Sequence, residues 1–286
     1  MPLDDTWFTE SLESQGSAFS LKIARKLHEE QSPFQRIEVY ETTHWGRLLV
    51  LDGAVMLTQR DNFTYHEMMA HPVLFTHPNP RDVLIIGGGD CGMLREVLKH
   101  DSVRRAVQVD IDERVTRVAE QFFPELTEGI KDPRAQLLFE DGLRYLKEAP
   151  AASFDVIIVD STDPVGPAAG LFGPEFMRDA YRALRLDGLI VQQSESPILH
   201  LDTILTELYA VMRDAGFAKV VTLTYPVVGY PSGWWSATMA SKGADLTKFR
   251  EQDALNKRFE THYYNAAIHR GALAVPEFCK KLFTDQ

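Results

Sequence analysis

The sequence predicts an α/β protein, a doubly wound parallel sheet with a small antiparallel β domain ahead of it. Continuous apolar segments alternate with amphipathic ones: DVLIIGGG from Asp82, RAVQVDID from Arg105, AQLLFEDG from Ala135, FDVIIVD from Phe154 and GLIVQQS from Gly188 are separated by GMLREVLKH, ERVTRVAEQFF, LRYLKEA and EFMRDAYRALR. Strands without polar alternation are buried on both faces, and helices between them supply the cover. Ahead of this series, Arg36 to Thr58 is rich in β-branched and aromatic residues and is broken by turn signals at His44 to Gly46 and at Asp52-Gly53, which reads as an antiparallel meander.

Taken in order, the elements divide the chain at residue 61. Residues 1–61 form the β-meander domain and residues 62–286 the larger domain. Asn62 to Leu74 carries apolar residues at helical spacing, with Asp61 or Asn62 as its cap, and links the two. Beyond the fifth parallel strand, AKVVTLTYPVV and GWWSATMAS flank Gly229 to Gly233 and predict a hairpin that extends the sheet with antiparallel strands. Short helices close the chain.

Bulk properties narrow the function. A hydrophobic share of 44% against 25% charged residues excludes disorder and fibrous repeats. No apolar run reaches the length of a membrane span, and the first ten residues are acidic with no basic residue, unlike a targeting peptide; a cytoplasmic location without membrane association is the expectation. A net charge of −11 argues against a nucleic-acid partner, since phosphate contacts need a basic face. The two cysteines, Cys91 and Cys279, have no metal-ligand or CxxC spacing and read as reduced thiols.

The chemistry is concentrated at the carboxyl ends of the strands, where ligands of such sheets bind. Gly87, Gly89 and Gly92 follow a strand and open a helix, as G-x-G-x-x-G requires for close backbone approach by a ligand. Asp110 ends the next strand, eighteen residues past Gly92, where a carboxylate can accept from both ribose hydroxyls. Together they indicate an adenosine-containing ligand, either a dinucleotide or a relative of S-adenosylmethionine. Asp90 separates the two, because a carboxylate beside the glycines opposes a pyrophosphate and favours a cationic group; its plainer role is a helix cap. Asp141-Gly142 ends the third strand and is equally a turn or an acceptor for an adenine amino group. Asp160-Ser161-Thr162-Asp163-Pro164 follows the fourth strand, with two carboxylates three residues apart and a loop stiffened by Pro164 and Pro167. Five acids and no basic residue in these motifs call for a cation: a polycationic substrate, or a metal for which no ligand pattern is recognisable. We expect no metal and no cofactor.

YHEM at Tyr65 to Met68, LIIGGGD at Leu84 to Asp90, DSTDPVGP at Asp160 to Pro167 and YPSG at Tyr230 to Gly233 resemble the spermidine synthases, polyamine aminopropyltransferases with a Rossmann-like, methyltransferase-type fold. The likeness runs from about Trp7 to Phe278. It implies transfer of an aminopropyl group from decarboxylated S-adenosylmethionine, a co-substrate, to putrescine. By this resemblance Gln35, Asp110, Asp141 and Gly142 hold the nucleoside with Pro167 lining the site, alongside Gly87, Gly89 and Asp90. Tyr65, His66, Asp90, Asp160, Ser161, Thr162, Asp163 and Tyr230 surround the aminopropyl and diamine groups, and Asp160 is the proton acceptor. Gln193 is a further hydrogen-bond partner or a packed strand residue. The family's assembly implies a homodimer or homotetramer. Same-fold transferases that act on cadaverine, agmatine or spermidine, or that N-methylate putrescine, are the alternatives; an NAD-dependent oxidoreductase and a noncatalytic polyamine sensor stand further off.

Two positions depart from the family pattern. Asp110 stands where Glu is usual, shortening the carboxylate by one methylene. Cys91 stands where Gly is usual, and an ordinary helical-start conformation is expected there, since a positive φ would strain it.

Overall fold

The computed structural model describes residues 3–164 and 166–283, apart from the side chain of Pro167. The N-terminal sheet has five antiparallel strands in sequential order, β1 (Trp7–Leu12), β2 (Ser17–Gln31), β3 (Arg36–Thr42), β4 (Arg47–Leu51) and β5 (Ala54–Thr58). The expected meander is its last three strands. β1 and β2 carry no such apolar run: β2 exposes most of its fifteen residues and forms ion pairs such as Lys26 with Glu38 at 2.6 Å.

The second sheet has seven strands in the order β11-β12-β10-β9-β6-β7-β8, where β6 is Asp82–Gly87, β7 Arg105–Asp110, β8 Ala135–Phe139, β9 Phe154–Asp160, β10 Leu184–Gln193, β11 Lys219–Pro226 and β12 Trp234–Ser241. β6 to β10 are parallel and β11-β12 is the antiparallel hairpin expected from the sequence. The strand order reverses between β6 and β9, whose register sets Gly87 opposite Asp160. That reversal opens the crevice in which open α/β sheets bind ligands.

One face of the sheet packs on the helices α1 (Asn62–Thr76) and α2 (Gly92–Leu98) through Met68, Met69, Leu94 and Val97. The opposite face is covered by α4 (Gly142–Glu148) and α5 (Pro174–Ala183) with the later helix Thr206–Asp214, while α3 (Glu113–Phe122) packs Val115 and Val118 against Ile37, Leu49 and Leu57 of the N-terminal sheet. α1 is buried all round rather than amphipathic, and accommodates Pro72. Asp61 occupies its N-cap position but makes no capping bond. α5 stops at Ala183, and Leu184–Arg185, expected as helix, opens β10 because Leu184 already pairs with Phe154.

Candidate active site

A cavity of about 400 Å³ opens at the carboxyl ends of β6, β7 and β9 under the N-terminal sheet. Six aspartates, Asp52, Asp90, Asp110, Asp141, Asp160 and Asp163, line it, and none of its described lining residues is lysine or arginine.

The glycine turn between β6 and α2 is built by steric necessity. Gly87 and Gly88 have φ of 85° and 70°, and a Cβ on Gly87 would lie 2.1 Å from the Asp160 carbonyl oxygen. Only glycine lets β6 and the Asp160 segment approach this closely. The Gly88 amide donates to that same carbonyl at 2.8 Å, while Gln108 and Thr116 donate to the Gly88 and Gly89 carbonyls at 2.7 and 2.8 Å. Cys91 lies in the left-handed region with φ 65°, contrary to the helical start expected for it. Turn geometry overrides the residue's preference: its amide closes a turn on the Gly88 carbonyl at 2.8 Å, and its side chain is buried beside Gln108. Burial, reinforced by Asp90, pushes its thiol up to about 12.

Asp90 stands one residue before the N-cap position of α2, which Cys91 occupies, and bonds on two sides. Its Oδ1 accepts from the Gly92 amide at 2.7 Å, and its Oδ2 faces His66 Nε2 at 3.3 Å from the buried α1. Burial opposes its charge, but the imidazole and that amide outweigh burial and hold it below the usual carboxylate range. Burial likewise disfavours a charged His66, yet Asp90 raises its pKa on balance. Gly92 makes room for the ring, since a Cβ there would fall 2.3 Å from it.

Asp160 is the most perturbed of the cleft aspartates. Desolvation, then repulsion from Asp90, raises it to about 7, although Tyr65 donates its hydroxyl to Oδ1 at 2.6 Å. Burial and the Asp160 charge hold the Tyr65 phenol protonated, so it remains a donor. Asp110 is raised to about 6, mainly by desolvation, with its Oδ1 accepting from the Asp112 amide at 2.8 Å. Gln35 lines the cavity and donates to Asp112 at 2.9 Å, so the segment after β7 is tied to the N-terminal domain at the edge of the cleft. Asp141 caps α4 through the Leu143 amide at 2.8 Å with its outer face exposed to the cavity, and Gly142 packs over Ile86. The Pro167 side chain lies outside the described residues; its backbone belongs to a 3₁₀ turn, Gly166–Phe172.

A second cavity of about 80 Å³ continues from the first; Tyr65, Ser161, Thr162, Asp163 and Tyr230 line both. At its far end the structure adds two carboxylates the motifs did not reveal. Glu195, just past β10, is raised well above its ordinary value by burial and by Asp163, and Glu10 on β1 is raised to about 7 by burial. Gln193 donates to Glu195 at 3.1 Å, so it orders this cavity rather than the larger one. Single carboxylates so far apart in the chain leave no local pattern, although ESP after an apolar strand marks the ligand edge. Among the described residues, no three His, Cys, Asp or Glu side chains converge on a metal-sized site.

A glycine turn at the reversal of strand order, an acidic cleft and a methyltransferase-like sheet are the marks of an α/β transferase. Comparison with known proteins makes this particular. Residues 62–250 match the family model described as spermine/spermidine synthase domain, and residues 6–59 the one described as spermidine synthase tetramerisation domain. Over 286 residues, the whole of both chains, the sequence is 68% identical to the polyamine aminopropyltransferase of Alkalilimnicola ehrlichii, and it is 61% identical over 281 residues to that of Thioalkalivibrio sulfidiphilus, covering 98% of this chain and 99% of the relative. A spermidine synthase crystallised with the transition-state analogue AdoDATO superposes with a TM-score of 0.94 at 38% identity, and the enzyme from Thermotoga maritima with 0.92 at 38%; each match covers 100% of this chain and 97% of the other. The chain belongs to the spermine/spermidine synthase family, whose members are polyamine aminopropyltransferases.

Proposed function

We propose that this chain transfers the aminopropyl group of decarboxylated S-adenosylmethionine to putrescine, giving spermidine and 5'-methylthioadenosine. The observation that carries the reading is the lining of the cleft: six aspartates and, among its described residues, no lysine or arginine, continuous with a narrower cavity ending at Glu10 and Glu195. Such a surface suits two cations in line, a sulfonium donor in the wide part and a diamine in the narrow one.

In this reading Asp110 and Gln35 take the ribose, and Asp141 with Gly142 takes the adenine, with Pro167 beside it. Gly87 and Gly89 give the donor access to the backbone, and Asp90, held charged by His66, takes the aminopropyl ammonium. The diamine lies along Tyr65 and Tyr230, past Ser161 and Thr162, with its distal ammonium at Asp163, Glu195 and Glu10. A neutral nitrogen near Asp160 attacks the carbon beside the sulfonium as the carbon–sulfur bond breaks, and methylthioadenosine leaves as a neutral thioether. The new secondary ammonium gives its proton to Asp160 or to water. An ordinary aspartate is a poor base for an alkylammonium, whose pKa is about 10; elevation to about 7 narrows that gap. Alignment of the two reactants contributes much of the rest. No cofactor or metal takes part, and the tetramerisation-domain match supports an oligomer, a homotetramer or a homodimer.

Incubation with decarboxylated S-adenosylmethionine and, separately, putrescine, cadaverine, agmatine and spermidine, with methylthioadenosine release as readout, tests the proposal. The highest kcat/KM is expected for putrescine. Preference for another amine would reassign the acceptor, and no release with any of them would overturn the reading.

A further inference from the structure

An aspartate at a helix N-cap ordinarily accepts from an amide of its own first turn. Asp61 does not. Its Oδ2 accepts instead from the Gly229 amide at 2.6 Å, 168 residues away, and its Oδ1 from the Thr58 hydroxyl at 2.6 Å. Gly229 lies in the turn between β11 and β12, and the next residue, Tyr230, donates its hydroxyl to the Met56 carbonyl of β5 at 2.7 Å. The turn is thus pinned at two adjacent points to the end of the N-terminal sheet. On its other flank Ser232 meets Ser196 at 2.7 Å, next to Glu195.

We propose that Asp61 is a positioning residue for the amine acceptor, acting through Tyr230. The inference rests on the aminopropyl-transfer reading above. Tyr230 walls both cavities, with its ring edge-on to Tyr65 at 5.7 Å and to Trp235 at 4.8 Å, and Tyr65 in turn holds Asp160. Asp61 supplies the turn's charge-assisted anchor, and such bonds are stronger than those between neutral groups. The adjoining Val228 is 55% exposed and contributes little packing. Without the anchor the turn samples other positions, and the diamine must order it on binding, at a cost in affinity. The residues proposed for the nucleoside, Gln35, Asp110, Asp141 and Gly142, lie on other segments, so nucleoside binding is indifferent to the change.

Steady-state kinetics on Asp61→Ala, with methylthioadenosine binding measured by calorimetry, provides the test. The diamine KM should rise about tenfold, the weaker end of a hydrogen bond to a charged group, while methylthioadenosine affinity changes by less than about twofold, as for a neutral surface substitution. Asp61→Asn, whose amide oxygen still accepts from Gly229, should restore most of the KM. Thr58→Val, which frees Asp61 on one side, should raise KM in the same direction by a smaller factor, and it carries the test if Asp61→Ala does not fold. An unchanged diamine KM in the folded variants, or a parallel loss of methylthioadenosine affinity, would overturn the proposal. Wild-type turnover with a diamine is measured in the same series, so failure of the transfer reading is seen separately.

Discussion

Replacing Asp160 by Asn should make the ligand-free protein more stable and nearly inactive, and the pH dependence of the first effect identifies its cause. The carboxyl group stands at about 7 rather than its ordinary 3.8, because burial and Asp90 penalise the charge. At 1.36 kcal/mol per pH unit this is about 4 kcal/mol against the ionised form. Its sign follows from linkage: a carboxylate raised in the folded state contributes stability below its ordinary value and loses it as pH rises through about 7. Solvent at the cavity mouth screens part of the cost. The Tyr65 bond favours the ionised form and is already contained in that raised value. A net gain of about 2 kcal/mol remains at alkaline pH, which for a chain of this length raises Tm by about 4 °C. At acid pH, where wild-type Asp160 is already protonated, the two proteins should melt together. Turnover should fall by at least about a hundredfold, as expected on removal of a general base. Calorimetric scans of both proteins across the pH range, paired with methylthioadenosine release, form the assay. An advantage of the Asn variant over wild type that does not grow from acid to alkaline pH would refute the electrostatic account, and near-normal turnover would remove Asp160 from catalysis.

Three other outcomes follow from the site. Gly87→Ala should destabilise by about 3 kcal/mol or more and abolish turnover, since its Cβ meets the Asp160 backbone, whereas Gly53→Ala, with φ 86° and open space around it, should cost about 1 kcal/mol; equal chemical-denaturation midpoints for the two would contradict this. Both thiols are buried and shifted up, Cys91 to about 12 and Cys279 to about 11, so native protein should resist iodoacetamide and label only on unfolding, as read by intact mass. Ordinary S-adenosylmethionine should be a poor donor, because its extra carboxylate would enter a cleft of six aspartates; efficient methylation of putrescine would refute aminopropyl transfer.

The parallel sheet was legible because buried strands leave apolar runs, and the glycine turn and Asp160 to Asp163 were legible because strand ends mark the ligand edge. The features that escaped are those set by distant contacts. In β2 only Phe19, Leu21 and Ile23 alternate inward and the rest of the strand is mostly polar, while β1 sets Trp7 and Phe8 side by side, so neither shows the alternation of a half-buried strand along its length. Cys91 takes a positive φ because β6, Gln108 and the Asp160 segment close around the turn, and no neighbour in sequence signals that. Glu10 and Glu195, from different sheets, line one cavity only once the chain is folded. Asp61 has the sequence signature of a helix cap, and its tie to Gly229 required the hairpin's position. Local chemistry was therefore readable from the chain, Tyr65, Asp163 and Tyr230 included, while the share of Glu10 and Glu195 in the smaller cavity was not.

The same acidic cavity sets how binding depends on pH and on metals. Asp160 and Glu10 stand near 7, Asp110 near 6 and Glu195 well above its ordinary value, chiefly through burial. At mildly acid pH the ligand-free site therefore holds protons where the proposed diamine places its charge, so diamine binding must expel them. The diamine Kd should fall as pH rises through this range, and calorimetry in buffers of differing ionisation enthalpy should show protons released. Turnover gains again at alkaline pH as more of the amine is neutral. A divalent ion shared among Asp90, Asp160 and Asp163 would do the same neutralising work, but it would make both effects chelator-sensitive. Activity and diamine affinity are expected to survive EDTA unchanged. Loss with chelator and recovery on adding magnesium or manganese would show that a metal ion, and not the substrate cations, neutralises the aspartates, and a pH-independent diamine Kd would show that the raised carboxylates are not those the diamine meets.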